Sequence, residues 1–283
     1  MSVLTYRNLG DMPNCLWCGA PHPVHVTWSN LLYEKEKPLL CEECSNQLEK
    51  MEGRLCHLCG RSLETLDEKY ISNNDRCHDC TRWETSTHWS GLLDKNRSLY
   101  HYNDFLQEII GRYKFRGDAI LSSLFLRRLN DYYHQEFSGY HIVPIPLSKE
   151  RLTERGFNQA ELLATSITPD QPPLRFLLQK SFFTKLFSSL KGNSQVLYLP
   201  DLLTRTRHET KQSKRSRVER MPHPHQTGSS PFAILHPELF SIKDKQFLLI
   251  DDIYTTGSTV RKAAKILKEH GAASVSSLTI ARG

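Results

Sequence analysis

The chain has 283 residues, 39% of them hydrophobic, and a net charge of +6. That composition is ordinary for a globular protein with a sizeable core, and the length suits about two domains at ~150 residues each. No apolar run approaches the ~18 residues that suggest a membrane span, and the first residues lack the long apolar core of a signal peptide. A cytoplasmic protein with reduced thiols is expected.

All eight cysteines lie between residues 15 and 80, in four Cys-x-x-Cys pairs: Cys15/Cys18, Cys41/Cys44, Cys56/Cys59 and Cys77/Cys80. A tetrahedral zinc ion takes four soft ligands, so four pairs make two sites. Gly19 and Gly60 each follow a pair directly and suit the tight turn of a zinc knuckle. Disulfides fit poorly in a cytoplasmic chain, and a redox pair would stand alone beside a strand–helix unit. Sequential pairing keeps each loop short and is preferred, with an interleaved arrangement left open. His57 and His78 lie inside two of the pairs. The cysteines complete both sites without them, so they are read as surface or supporting residues. No coordination position is left free, so both Zn²⁺ ions are expected to be structural. A small polar region of this kind draws much of its folding energy from metal, on the order of 10–16 kcal/mol per site. A double zinc-ribbon domain is therefore expected over residues 1–90, and a larger domain over 91–283.

Trp83–Arg97 reads as the hinge between them. Tyr102–Leu129 is mostly helical, broken at Lys114–Asp118, where Gly117 and Asp118 can end one helix and cap the next. His141–Pro146 is a short strand bent by its prolines, followed by a loop and helix over Ser148–Thr165. Leu174, Leu178, Phe182, Leu186 and Leu190 recur every four residues, which predicts an amphipathic helix. Such a helix either packs on its own domain or docks a partner. Leu199–Thr204 is a further candidate strand. From Arg205 to Arg220 seven basic residues face only Glu209 and Glu219, a block that attracts phosphates of a metabolite or of nucleic acid. Gln246–Ile250 is a continuous apolar strand of the kind buried in a parallel sheet. Thr259–Glu269 has helical periodicity and ends at Gly271, a good C-cap. Ser274–Ile280 is the last strand. Strands alternate with helices, so the larger domain is expected to be α/β with a mainly parallel sheet.

The sharpest signal is Leu248-Leu-Ile-Asp-Asp-Ile-Tyr-Thr-Thr-Gly-Ser-Thr259. A buried strand ends in two adjacent carboxylates, then turns into a helix. Gly257 permits close backbone approach to a ligand. The turn's N–H groups and the helix N-terminus form an anion site, and Thr255, Thr256, Ser258 and Thr259 add hydroxyl donors. Asp251 and Asp252 would repel a phosphate they faced, so they suit ribose hydroxyls a few ångströms away. The loop lacks the lysine of a Walker loop and the three spaced glycines of a dinucleotide fingerprint. A plain strand–turn–helix junction leaves the paired aspartates unexplained.

This loop resembles the ribosyl-pyrophosphate signature of type I phosphoribosyltransferases, except that Tyr254 stands where an aliphatic residue is usual. Three more segments narrow the resemblance: Tyr113-Lys-Phe-Arg-Gly-Asp118, Val143–Gln159 and Arg205–Ser213. Together with the cysteine pairs they resemble the ComF family, nearest its ComFC-like late-competence members, over almost the full chain. The resemblance implies a type I phosphoribosyltransferase-like domain at 91–283 that takes 5-phosphoribosyl 1-pyrophosphate with Mg²⁺. Asp251 and Asp252 would bind the ribose hydroxyls, and Thr255, Thr256, Gly257, Ser258 and Thr259 the 5′-phosphate. The bend at Pro144–Leu147, with Pro146 and Leu147, would be the pyrophosphate loop, with Arg151 and Arg155 as nearby cations. Arg205, Lys211 and Gln212 would belong to a closing catalytic loop.

The family further implies a role in natural transformation: uptake and cytoplasmic handling of single-stranded DNA beside a ComFA-like DNA helicase or translocase. Two other readings stay open, a phosphoribosyltransferase of nucleotide salvage (a pentosyl-transferring enzyme) and a sensor of phosphoribosyl pyrophosphate.

Overall fold

A computed structural model describes residues 14–21, 38–72, 75–115, 118–165, 167, 196–207 and 230–283. The expected amphipathic helix at Leu174–Leu190 and the basic block beyond Arg207, with Lys211 and Gln212, lie outside the described residues. The chain forms two compact units, Met1–Leu48 and Glu49–Gly283.

In the smaller unit a knuckle turn closes with Gly19 N–H donating to the Cys15 carbonyl, and helix α1 (Glu42–Asn46) starts at Cys41. In the larger unit, strands β1 (Ile71–Ser72) and β2 (Arg76–Cys77) form an antiparallel ribbon that leads into α2 (His78–Glu84). There follow β3 (Asn96–His101), α3 (Asp104–Phe115), α4 (Ser123–Glu136), β4 (His141–Pro144), α5 (Lys149–Arg155) and α6 (Gln159–Thr165). Strands β5 (Leu203–Arg205) and β6 (Phe232–Ile234) form a second antiparallel ribbon. The chain ends with β7 (Gln246–Tyr254), α7 (Ser258–Glu269) and β8 (Ser274–Arg282). The main sheet has the order β3-β8-β7-β4, with every pairing parallel. This is the expected α/β architecture.

The apolar run does what its composition demands. Phe247, Leu248, Leu249 and Ile250 of β7 are all fully buried, as a central parallel strand covered on both faces must be. Helix α7 lays Val260, Ala263, Ala264 and Leu267 against the core, the i, i+3, i+4, i+7 spacing of one helical face. The left-handed Gly271 (φ +88°) ends it, with its N–H on the Lys268 carbonyl. The Ser148–Thr165 stretch divides into two helices at Gly156, which takes φ +80°.

Three features differ from the pattern-based expectation. Strand β7 runs on through Tyr254, so both aspartates lie within the strand rather than after it. Asp118 does not cap the following turn; its carboxylate accepts from Arg112 instead. The end of the expected hinge is already β3, a polar strand whose Asn96 and Ser98 are buried. The Ser277 hydroxyl donates to Asn96 Oδ1 at 2.8 Å, and Ser98 and Thr279 share a hydroxyl bond of 2.7 Å. Among the described residues no helix is long and apolar enough to cross a membrane.

Candidate functional site

In an open α/β sheet, ligands bind beyond the carboxyl ends of the strands. Here the ends of the neighbouring strands β4 and β7 open into a cavity of about 470 Å³, a size suited to a small metabolite. Of the residues expected in the site, Pro146, Leu147, Arg151, Arg155, Arg205, Asp251, Asp252, Thr255 and Thr259 line it. Thr256 and Ser258 are buried in the turn and, with Gly257, are not among the lining residues.

The cavity is strongly charged. Lys114 Nζ lies 2.7 Å from Asp252 Oδ2, with both side chains largely buried. Lys114 stands in the Tyr113–Asp118 motif, but nothing in its sequence spacing assigned it to the carboxylates. Arg155 donates to Gln159 Oε1 at 2.9 Å, and the Asn158 amide donates to the Ile145 carbonyl at 3.1 Å. Tyr113, buried against this region, donates its hydroxyl to the Gln159 carbonyl. The motif ending Gly-Phe-Asn-Gln159 thus ties the candidate pyrophosphate loop to the helices that carry Lys114 and Arg155.

Burial, and then repulsion from Asp252, push the Asp251 carboxyl up to about 7; Lys114 and Arg205 pull the other way. In the free protein, the folded state holds this proton above the ordinary value of 3.8. The Asp251 contribution to fold stability therefore falls as pH rises from there to about 7. A ligand that donates hydroxyls to Asp251 favours the ionised form. Affinity is then expected to rise as pH rises through about 7, with proton release on binding. Calorimetry in buffers of different ionisation enthalpy checks this. Asp251→Asn should leave only the weaker pH dependence of the ligand's own phosphate, whose second ionisation lies near pH ~6.

The turn after β7 is packed tightly from below. Gly257 takes φ +79°, and a Cβ there would run into the Tyr254 hydroxyl and the Arg261 guanidinium. Tyr254, the departure from the aliphatic slot, has a structural reason: its buried hydroxyl accepts from Arg261 Nη1 at 2.6 Å. Arg261 is fully buried in the first turn of α7 and lies over the Trp83 ring. Arg282, at the end of β8, lies over the Tyr254 ring.

The cysteines assemble in the sequential order: Cys15, Cys18, Cys41 and Cys44 in one tetrad, Cys56, Cys59, Cys77 and Cys80 in the other. Within each, the sulfurs lie within 4.8 Å of one another. Cys59 and Cys77 sulfurs are 3.6 Å apart, and those of Cys18 and Cys41 3.8 Å. A tetrahedral ion with metal–sulfur bonds of ~2.3 Å sets its sulfurs about 3.8 Å apart, so both tetrads could hold one. His57 and His78 belong to neither. The second tetrad is embedded in the core of the larger unit, in one buried cluster that extends to Val143, Phe247 and Leu249. Hydrogen bonds from Cys56, then Cys77 and Cys80, with the Arg282 charge adding to them, hold the Cys59 thiol well below the usual thiol range.

The comparisons with known proteins agree with this geometry. A family profile described as "Phosphoribosyl transferase domain" matches residues 182–283, the stretch that carries β5 to β8 and the turn after β7. "Competence protein ComFC" of Bacillus subtilis (strain 168) is 36% identical over 95% of this chain and 94% of its own length. "Competence protein ComFC" of Streptococcus pneumoniae (strain ATCC BAA-255 / R6) is 30% identical over 95% of this chain and 99% of its own. "DNA utilization protein YhgH" of Escherichia coli (strain K12) is 26% identical over 84% of this chain and 94% of its own. With its cysteine tetrads and its phosphoribosyltransferase-type domain, the chain belongs to the ComFC family of competence proteins.

Proposed function

We propose that the chain binds 5-phosphoribosyl 1-pyrophosphate with Mg²⁺ and acts in the uptake and cytoplasmic handling of single-stranded DNA during natural transformation. Residues 1–90 are the zinc-bearing region in this reading, and 91–283 the phosphoribose-binding region. The observation that carries it is the convergence of Asp251, Asp252, Lys114, Arg151, Arg155 and Arg205 on one cavity beside the phosphate turn. The names of the relatives, competence and DNA utilization, support the DNA-related role.

Each residue then has a part that suits its chemistry. Asp251 and Asp252 accept hydrogen bonds from the ribose hydroxyls, and the carboxylates favour positive charge on the sugar. Thr255 to Thr259 offer N–H and hydroxyl donors to the 5′-phosphate. The Pro146–Leu147 turn, with Arg151 and Arg155, receives the pyrophosphate, whose negative charge guanidinium groups match in pairs of hydrogen bonds. Arg205, with Lys211 and Gln212, belongs to the segment that closes over the ligand and excludes water. Bound Mg²⁺ would neutralise charge on the pyrophosphate. Both cysteine tetrads hold structural Zn²⁺. A ComFA-like helicase or translocase is the proposed protein partner.

Salvage catalysis is the second reading, favoured by the phosphoribosyl transferase profile; a sensor that binds without turnover is its limiting form. Calorimetry with the phosphoribosyl ligand, Mg²⁺ and single-stranded DNA, alone and together, separates them. Both ligands are expected to bind. DNA affinity should fall steeply with salt, since each neutralised phosphate of a single strand contributes about −0.7 to the log–log slope. No DNA binding at low salt would remove the DNA role, and pyrophosphate release with any base of a panel would establish turnover.

A further inference from the structure

Three successive peptide groups of the phosphate turn are held from one side. The carbonyls of Tyr254 and Thr255 accept from Arg282 Nη1 at 3.2 and 2.8 Å. The carbonyl of Thr256 accepts from the Trp83 indole N–H at 2.9 Å. In a trans peptide the N–H points opposite to the C=O. Each bond therefore also fixes the direction of the next N–H, at Thr255, Thr256 and Gly257 in turn. Successive N–H groups of this kind form an anion-binding concavity.

The donors lean on the second cysteine tetrad. Arg282 donates its other amino group, Nη2, to Cys59 Sγ at 3.4 Å. Trp83 lies on α2, the helix that carries Cys80 and begins directly after Cys77. Arg261 lies over the Trp83 ring at 4.6 Å and 3.8 Å from Glu84 of the same helix. The charges fit as well. Arg261 is 0% and Arg282 5% exposed; Glu84 lies 3.8 Å from Arg261, and Arg282 Nη1 also donates to the Gly283 oxygen. Buried guanidinium groups need compensating charge. Four thiolates around one divalent ion leave a net charge of about −2, which together with Glu84 compensates these guanidiniums, whereas four neutral thiols would add no such charge.

We propose that the second tetrad anchors the phosphate turn: a metal ion held by Cys56, Cys59, Cys77 and Cys80 fixes Arg282 and Trp83, and these two positioning residues aim the turn's N–H groups at a phosphate. The inference rests on reading this turn as the phosphate site. It makes ligand affinity depend on the loading of a metal centre that the ligand does not touch. By linkage, bound ligand tightens metal binding by the same free energy.

The test compares the metal-loaded full chain with Arg282→Gln, Trp83→Phe and a control, Arg97→Gln. Arg97 donates to the His57 carbonyl at 3.1 Å and pairs with Glu136 at 3.0 Å, so its loss loosens the same module without touching the turn. Metal content, amide exchange at Thr255–Gly257 and affinity for phosphoribosyl pyrophosphate are measured. Arg282→Gln should keep both metals and the slow exchange of the β7 core. Its turn amides should exchange, and its ligand dissociate, roughly tenfold more readily, the size of one charged hydrogen bond. Trp83→Phe should move the Gly257 amide in the same direction, and Arg97→Gln should match the parent. Turn exchange in Arg282→Gln and Trp83→Phe no faster than in Arg97→Gln overturns the proposal. If Arg282→Gln loses metal or does not fold, Trp83→Phe decides alone by the same criterion. If the parent binds no phosphoribosyl pyrophosphate, the functional reading fails, and the turn's exchange rates still decide this proposal.

Discussion

Cys59→Ser is expected to unfold the larger unit of the protein. The Cys59 sulfur is buried among three others, its carbonyl accepts from the Asn96 amide of β3 at 3.1 Å, and its cluster is continuous with the sheet core. A structural zinc site contributes on the order of 10–16 kcal/mol by peptide analogy, against a total stability of about 5–15 kcal/mol for an ordinary domain. Losing one ligand therefore consumes most of the margin. Cys18→Ser, in the smaller unit and on an exposed cysteine, should leave the melting of the sheet near its parent value. Metal content and thermal unfolding followed by circular dichroism distinguish the two. A Cys59→Ser protein that melts within a few degrees of the parent would show the second tetrad to be dispensable.

The second large effect is on ligand binding. Asp252→Asn keeps the shape of the side chain and removes its charge. It deprives Lys114 of the carboxylate it meets at 2.7 Å and, on the proposed reading, the ribose hydroxyls of a charged acceptor. Hydrogen bonds to charged groups contribute roughly 1.5–3 kcal/mol, so affinity for phosphoribosyl pyrophosphate should fall about 100-fold, or ~2.7 kcal/mol. Asp251→Asn should act in the same direction. Single-stranded DNA binding at low salt should survive both changes, because it draws on cations and not on carboxylates. Unchanged ligand affinity in both variants would mean that the phosphoribosyl group binds elsewhere.

Much of the candidate site was legible in the sequence because its parts are contiguous. Asp251 to Thr259 are one strand, one turn and one helix start, and the chemistry of that run is visible without knowing its neighbours. The cysteine pairs were legible for the same reason. What was hidden arises between distant segments. Arg282 meets Cys59 across 223 positions, and Trp83 meets Thr256 across 173. Neither residue type signals such a role alone. Strand β3 escaped notice because its core-facing Asn96 and Ser98 are satisfied by Ser277 and Thr279 rather than by apolar packing, so no hydrophobic alternation marks it. Lys114 stood inside a quoted motif, yet only the fold brings it to Asp252.

The sheet order has a kinetic consequence. Strand β8 lies between β3 and β7, so β3 has no place in the sheet until residues near 280 arrive; Ser98 and Thr279 are 181 positions apart. Closing so long a loop is slow relative to local events. The second tetrad, by contrast, draws all its ligands from between Cys56 and Cys80 and can form while that loop is still open. Refolding from denaturant is therefore expected to show a fast, metal-dependent phase confined to the cysteine knuckles, followed by a slower one in which the parallel sheet closes on them.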